Sequence, residues 1–164
     1  MADKAKLETA GKVTFSDGQV RDLIIEIEVC DHERHEQIPT ERTRYRMLRK
    51  LSSQAAELGY TFEPAELRDA WDEPSLWLRF MLGVSANKIE TIWRAAGGKG
   101  KAGWVDKKTG EWGGPVTELI IELFDQAPVG RNRRPSRSAI RDAMKLYSKI
   151  DSDKRAAITE QTRS

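Results

Sequence analysis

The 164-residue sequence contains little sulfur and no long apolar segment. Its single cysteine, Cys30, cannot form an internal disulfide, which excludes the disulfide-stapled folds of small secreted proteins. No apolar run approaches the roughly 20 residues that a membrane-spanning helix needs. The first residues are charged and lack the apolar stretch of a signal peptide. We therefore expect a soluble, cytoplasmic protein with no membrane partner.

The chain also lacks an excess of charge of one sign, since 28 Lys and Arg residues face 26 Asp and Glu residues. This balance excludes a histone-like polybasic chain and an acidic disordered chain. The charges are nevertheless segregated: residues 1–40 hold five basic and nine acidic groups, and residues 131–164 hold ten and four. A basic tail of this kind indicates either contact with nucleic acid or a solvated surface, and charge alone does not choose between them.

Motifs for catalysis and for cofactor binding are missing. The sequence has no phosphate-binding glycine-rich loop after a strand and no nucleophile elbow. Cys30, His32 and His35 lie close together, but a structural zinc site needs four ligands and the chain has no further Cys or His. We predict a protein that is not an enzyme, with no catalytic residues, no cofactor and no metal site.

Alternation near the N-terminus predicts a β-hairpin over residues 12–30. Asp17-Gly18 is typical of a tight turn, and four apolar residues after it recur with period two: Leu23, Ile25, Ile27 and Val29. This spacing predicts a strand with one face in the core. Glu26 and Glu28 would lie on the other face, which we interpret as solvated; a metal-dependent nuclease that uses them is a weaker alternative.

Helical spacing and capping residues predict an α+β, mostly helical fold. Helices are expected near 40–58, 64–71, 75–82 and 85–96, and another runs from Pro115 through Phe124; a last helix carries Ile140 and Tyr147 on its apolar face. A second hairpin is expected over 101–113, with two Trp meeting across it. The predicted organisation is a flexible N-terminus (1–10), one globular domain (11–127, with the β-hairpin at 12–30 and the helical core at 40–127), and a basic linker with a C-terminal helix (128–164).

All five tryptophans fall between residues 71 and 112. Large aromatic side chains dominate the burial of apolar surface, so we expect most of them in the core. A ligand-binding or stacking surface is the alternative interpretation.

Residues 75–94 have the spacing of a helix-turn-helix. A first helix would end at Leu82-Gly83, where glycine accepts the left-handed conformation of a sharp turn. Val84 would pack in the angle, and Ser85 would cap the second helix. Together with the Lys-rich hairpin that follows, this segment resembles winged helix-turn-helix DNA-binding domains.

The resemblance implies that helix 85–96 enters the major groove, that the hairpin acts as a wing, and that the arginine-rich tail holds phosphates. It also implies a transcriptional regulator whose partner is DNA and which pairs half-sites as a homodimer. The DNA-binding residues that we expect are Ser85, Ala86, Asn87, Lys88, Thr91, Arg94, Lys99, Lys101, Lys107, Lys108, Arg131, Arg133, Arg134 and Arg137.

A protein-interaction module, such as an adaptor or inhibitor, is the alternative function. It would bind a protein partner through the N-terminal hairpin or a Trp-rich surface. The position of the charges distinguishes the two hypotheses. Convergence of the basic residues on one face favours DNA, whereas interruption of that face by Glu90, Asp106 and Glu111 favours a protein partner.

Overall fold

The computed structural model describes residues 3–35, 74–130 and 133–148. Its elements, in chain order, are α1 (Lys4–Gly11), α2 (Asp17–His35), α3 (Pro74–Ala95), β1 (Trp104–Val105), β2 (Trp112–Gly113), α4 (Pro115–Gln126) and α5 (137–148). The described chain is mostly helical with one two-stranded antiparallel sheet, which agrees with the predicted α+β class. The helices predicted near 40–58 and 64–71 lie outside the described residues.

The N-terminal hairpin prediction is wrong, because residues 17–35 form the single helix α2. Ser16 and Gln19 make a capping box: the Gln19 amide N–H donates to Ser16 Oγ (3.1 Å), and the Ser16 amide N–H donates to Gln19 Oε1 (2.9 Å). Gly18 does not have a positive φ, so it does not form the expected tight turn. These reciprocal bonds satisfy helix-terminal amides and start α2 where a turn was expected.

The burial pattern of α2 follows the helical period. Leu23, Ile27 and Cys30 are fully buried, whereas Ile25 and Val29 are 48% and 41% exposed. A run of adjacent apolar residues satisfies both the two-residue and the 3.6-residue period, so alternation within it did not identify a strand. The core selects the helical set because α2 packs along α3.

The predicted helix-turn-helix turn is also wrong, because α3 continues without a break through Leu82-Gly83-Val84-Ser85. Gly83 is buried and keeps a helical backbone. A Cβ atom at this position would lie 2.7 Å from the Ala143 carbonyl oxygen and 3.2 Å from Tyr147 Cβ. Glycine is therefore needed here for the close approach of α5 to α3, not for a turn.

The first residues form the helix α1 and not a flexible end. Asp3 caps it by accepting hydrogen bonds from the Ala5 and Lys6 amides. Leu7 is fully buried in the core, and Trp93 Nε1 donates to the Gly11 carbonyl oxygen at 2.6 Å. Helix α1 is thus part of the packed structure at both of its ends.

The core forms where α4 packs among the other helices. As predicted, α4 begins after Gly114 with Pro115 in its first turn. Its expected apolar stripe is almost fully buried: Val116, Leu119, Ile120, Leu123 and Phe124. Helix α5, which the sequence placed outside the globular domain, contributes the buried Ile140 and Ala143 to the same core.

The second hairpin is confirmed, with a different pairing of its tryptophans. Trp104 lies opposite Gly113, and Val105 lies opposite Trp112. The two Trp side chains therefore point to opposite faces of the hairpin. Trp112 is half-buried against the core, whereas Trp104 is 43% exposed, so the expectation of buried tryptophans holds for Trp93 and fails for Trp104.

Glycines fix the position of the hairpin between α3 and α4. Gly97, with φ of 110°, ends α3 in a Schellman motif in which the Gly98 amide donates to the Trp93 carbonyl oxygen. Gly114, also in the left-handed half of φ, lies so close to the 102–103 backbone that a Cβ atom would meet Gly103 Cα at 2.7 Å. The hairpin is consequently held against the body of the protein at its base.

Candidate functional site

Two of the residues predicted to contact DNA on the second helix are not on the surface. Ser85 and Ala86 are each only 2% exposed and belong to the packed interior of the described chain. They cannot contact DNA in this structure, which corrects their assignment. The reason is that α3 runs straight through these residues, so its inner face, and not its outer face, includes positions 82, 85, 86, 89 and 93.

Two predicted basic contacts on α3 have acidic neighbours. Lys88 Nζ lies 3.9 Å from Glu26 Oε1 on α2. Arg94 donates to Glu90 Oε1 at 2.7 Å and to the Gly100 carbonyl oxygen at 3.1 Å. Asn87 and Thr91 lie on the same side of the helix as Glu90, where the Thr91 hydroxyl donates to the Asn87 carbonyl oxygen. The outer part of α3 is therefore close to electrically neutral.

The arginines predicted to hold phosphates serve as links between elements. Arg133 lies 3.4 Å from Asp31 on α2, and Arg134 lies 2.9 Å from Asp125 on α4. Arg131 lies outside the described residues. Asp31 is 102 positions away from Arg133 in the sequence, so the linear charge pattern could not reveal this ion pair.

Arg137 is the most strongly engaged of the tail arginines. Its guanidinium donates to both carboxylate oxygens of Glu118, to Oε2 at 3.2 Å, and to the Trp112 carbonyl oxygen at 3.2 Å. The hydrogen bonds to Glu118 raise the pKa of Arg137 above its ordinary value. The side chain consequently connects α5, β2 and α4, and fixes the orientation of the hairpin.

The lysines on and beside the hairpin differ from these arginines. Lys99, Lys101, Lys107 and Lys108 are exposed. Within the described part of the chain they form no ion pair, whereas each described basic residue predicted on α3 or in the tail does. Asp106 is used in the turn, where it accepts from the Lys108 amide at 2.7 Å. Four of the fourteen predicted contact residues thus lie on or beside the hairpin without an ion pair, with exposed Asp106 and Glu111 on the same hairpin; we call the four residues the hairpin lysines.

A groove of about 600 Å³ opens beside the hairpin lysines. Its walls are the outer face of α3, the 101–103 segment with Trp112, and the last turns of α5. Lys145 from α5 stands over the Trp112 ring, with its ammonium 5.9 Å from the ring centre. The groove therefore continues the positive surface of the hairpin into a concave, partly aromatic site.

The predicted contact residues do not include Trp104, Trp112, Lys145 or Tyr147, although a stacking surface formed by the tryptophans was the alternative interpretation. The alternation of lysines with Trp104 over 99–108 was a signal for an aromatic and basic surface. No local pattern linked Lys145 to Trp112, because 33 positions separate them and only the packing of α5 brings them together.

Across residues 3–35, 74–130 and 133–148, no three His, Cys, Asp or Glu side chains are placed to hold a metal ion. Cys30 is buried within α2. No helix in that part of the chain has both the length and the apolar character needed to cross a bilayer.

The chain was compared with protein families, with curated proteins and with solved structures, and no match was found in any of the three comparisons.

Proposed function

We propose that this protein binds nucleic acid through the hairpin lysines and the groove beside them, and not through a helix-turn-helix. The observation that carries the proposal is the segregation of charge. The predicted basic residues on α3 and in the described tail form ion pairs with carboxylates, whereas Lys99, Lys101, Lys107 and Lys108 form none among the described residues.

Uncompensated lysines on a protruding hairpin suit contact with phosphates. A lysine ammonium that is not already paired gains from neutralising a phosphate, and each such contact releases condensed counterions. Lysine side chains are flexible and strongly hydrated, so they bind phosphates without discriminating between base sequences. The proposal is therefore affinity for the nucleic-acid backbone, with no assigned site.

The exposed aromatic residue on the hairpin supports the same function. Trp104 is 43% exposed and lies between Lys101 and Lys107 in the sequence. Aromatic side chains within a basic surface bind bases by stacking and the sugar-phosphate chain by charge.

A protein partner is the second candidate, and one observation favours it. Trp104 and Val105 are 43% and 50% exposed, on opposite faces of the hairpin, so each face offers an apolar side chain on an otherwise charged hairpin. The N-terminal hairpin that this hypothesis also invoked does not exist. Association through Trp104 and Val105, with another protein or a second copy, would persist at high salt, unlike contacts with phosphates.

Binding to labelled nucleic acid at low salt tests the proposal. Fluorescence anisotropy should show that Lys107→Ala/Lys108→Ala weakens binding by about tenfold, because two phosphate contacts are lost. The matched control is Lys6→Ala/Arg21→Ala, which removes the same charge from α1 and from the start of α2 beside it; both side chains are exposed and, among the described residues, form no ion pair. The start of α1 lies at the far end of α4 from the hairpin, since the Gln126 amide donates to the Asp3 carbonyl oxygen.

The control variant should bind like the wild type, because its loss of charge is remote from the hairpin lysines. Equal weakening by both variants would indicate a general charge effect and no binding surface. Absence of binding by the wild type at the lowest salt would overturn the proposal.

A further inference from the structure

We infer that the groove beside the hairpin accepts a single, unpaired strand of nucleic acid. This inference rests on the proposed function and narrows its ligand. Three elements contribute to the groove, and each of them places a cation in it: Arg94 from α3, Lys101 from the segment before β1, and Lys145 from α5.

The charge inside the groove is positive. Glu90 is the single carboxylate among the described residues that line it, and Arg94 already binds this carboxylate at 2.7 Å. Lys101 and Lys145 are exposed and have no ion pair within the described residues. A concave site whose net charge comes from two unpaired ammonium groups complements a chain of phosphates.

The remaining lining suits bases that are not paired. Trp112 from β2 and Tyr147 from α5 both line the groove and are half-buried. In a duplex the base faces are stacked on each other, so aromatic side chains gain contacts with bases only when the strand is single. Asn87 adds an amide that can bond base edges.

Lys145 lies beside an aromatic side chain, so phosphate binding and base stacking can occur at neighbouring groups. Its ammonium lies 5.9 Å from the centre of the Trp112 ring, so a phosphate-binding group and a base-binding surface are neighbours. An acidic peptide would use the same cations but would leave the aromatic and amide groups without a specific role. The observations therefore favour a nucleic-acid strand over an acidic peptide.

Competition between strand forms tests the inference. The probes are a fluorescent oligothymidylate of about 12 nucleotides, within the range of known single-strand sites, and a duplex of equal length. We expect the wild type to prefer the single strand by about tenfold or more. Lys101→Ala/Lys145→Ala should abolish that preference, whereas Lys107→Ala/Lys108→Ala should weaken both probes alike. All four lysines are exposed, so both variants should unfold like the wild type.

Photocrosslinking gives a readout that depends on base contact and not on charge. An oligonucleotide carrying 5-bromouracil is irradiated on the wild type, and the attached peptide is identified by mass spectrometry. We expect attachment at Trp112 or Tyr147. Attachment at Trp104 alone would place the bases on the outside of the hairpin and overturn the inference.

The remaining outcomes separate the two proposals. Equal affinity for both probes, unaffected by Lys101→Ala/Lys145→Ala, would show that the groove does not bind nucleic acid. The hairpin lysines would then remain as the proposed binding surface. No binding of either probe would overturn both proposals. Competition by poly-glutamate as strong as by unlabelled oligothymidylate would show that the groove selects charge alone, in favour of an acidic peptide.

Discussion

Gly83 shows how the role of one residue depends on what packs against it. In the sequence it stands where a sharp turn between two helices would need glycine. In the structure it is a buried position within α3, with the Ala143 carbonyl oxygen 2.7 Å from where a Cβ would stand. A backbone atom cannot move aside as a flexible side chain can, so α5 itself would have to shift.

Gly83→Ala is expected to lower the free energy of unfolding by about 1–2 kcal/mol. Overpacking typically costs about 1–3 kcal/mol, and the better helix propensity of alanine returns up to about 1 kcal/mol. Urea unfolding followed by circular dichroism measures the change. Gly18→Ala in α2 is the control, because the nearest atom to its new methyl group, Ser16 Oγ, is 3.9 Å away. A stabilised Gly83→Ala protein would contradict the close approach of α5.

Arg133 and Arg137 of the tail bond to residues that are distant in the sequence. Arg133 and Asp31 are 102 positions apart, and Arg137 bonds the Trp112 carbonyl oxygen 25 positions away. A count of charges along the chain cannot register such partners. This is why the sequence predicted phosphate contacts for the tail arginines, whereas in the structure Arg133, Arg134 and Arg137 form ion pairs with carboxylates of the same chain.

At the scale of elements, α2 begins with a capping box whose residues and spacing are present in the sequence. Ser16 and Gln19 have the spacing of a capping box. Asp17-Gly18 between them is also typical of a hairpin turn, so the sequence pattern alone did not identify the helix start. Phe15 before the cap is buried, and Val20 packs on the same core, which are the positions of a hydrophobic staple. Local signals for both a turn and a helix were present, and tertiary packing decided between them.

Ser16→Ala and Gln19→Ala should each destabilise the protein by about 0.5–2 kcal/mol, the usual cost of losing a cap. Since the two residues satisfy each other, the double variant should lose less than the sum of the single losses. Chemical unfolding of the four proteins in this cycle gives the coupling. If Ser16 and Gln19 lay in a hairpin turn, each substitution would change the free energy of unfolding negligibly and the changes would be additive. That result would contradict a helix that starts at this position.

Other elements could be predicted because several signals agreed. For α4, Gly114-Pro115 set its start, and a stripe of five apolar residues set its buried face. The second hairpin was marked by a turn ending in Gly110, which has a positive φ of 71°. The register was harder: turn chemistry placed the hairpin, but packing of Trp112 against the core placed Trp104 opposite Gly113 and not opposite Trp112.

At the scale of the whole molecule, folding redistributes the charge that the sequence displays. Carboxylates from α2, α3 and α4 neutralise basic residues of α3 and the tail. The hairpin lysines, with Lys145 beside them, remain as an unpaired positive surface among the described residues. The sequence therefore named four of these lysines as candidate contacts, but neither the groove nor the ion pairs of Arg133, Arg134 and Arg137 could be derived without the packing.

The dependence of binding on salt tests this account most directly. The measurement is the affinity for labelled duplex DNA between about 50 and 200 mM salt, plotted as log affinity against log salt concentration. The account predicts a steep linear fall for the wild type. In Lys107→Ala/Lys108→Ala the slope should be shallower by about 1.8, at about 0.9 for each lost phosphate contact. A slope that these substitutions leave unchanged, or affinity that does not respond to salt, would contradict the central claim.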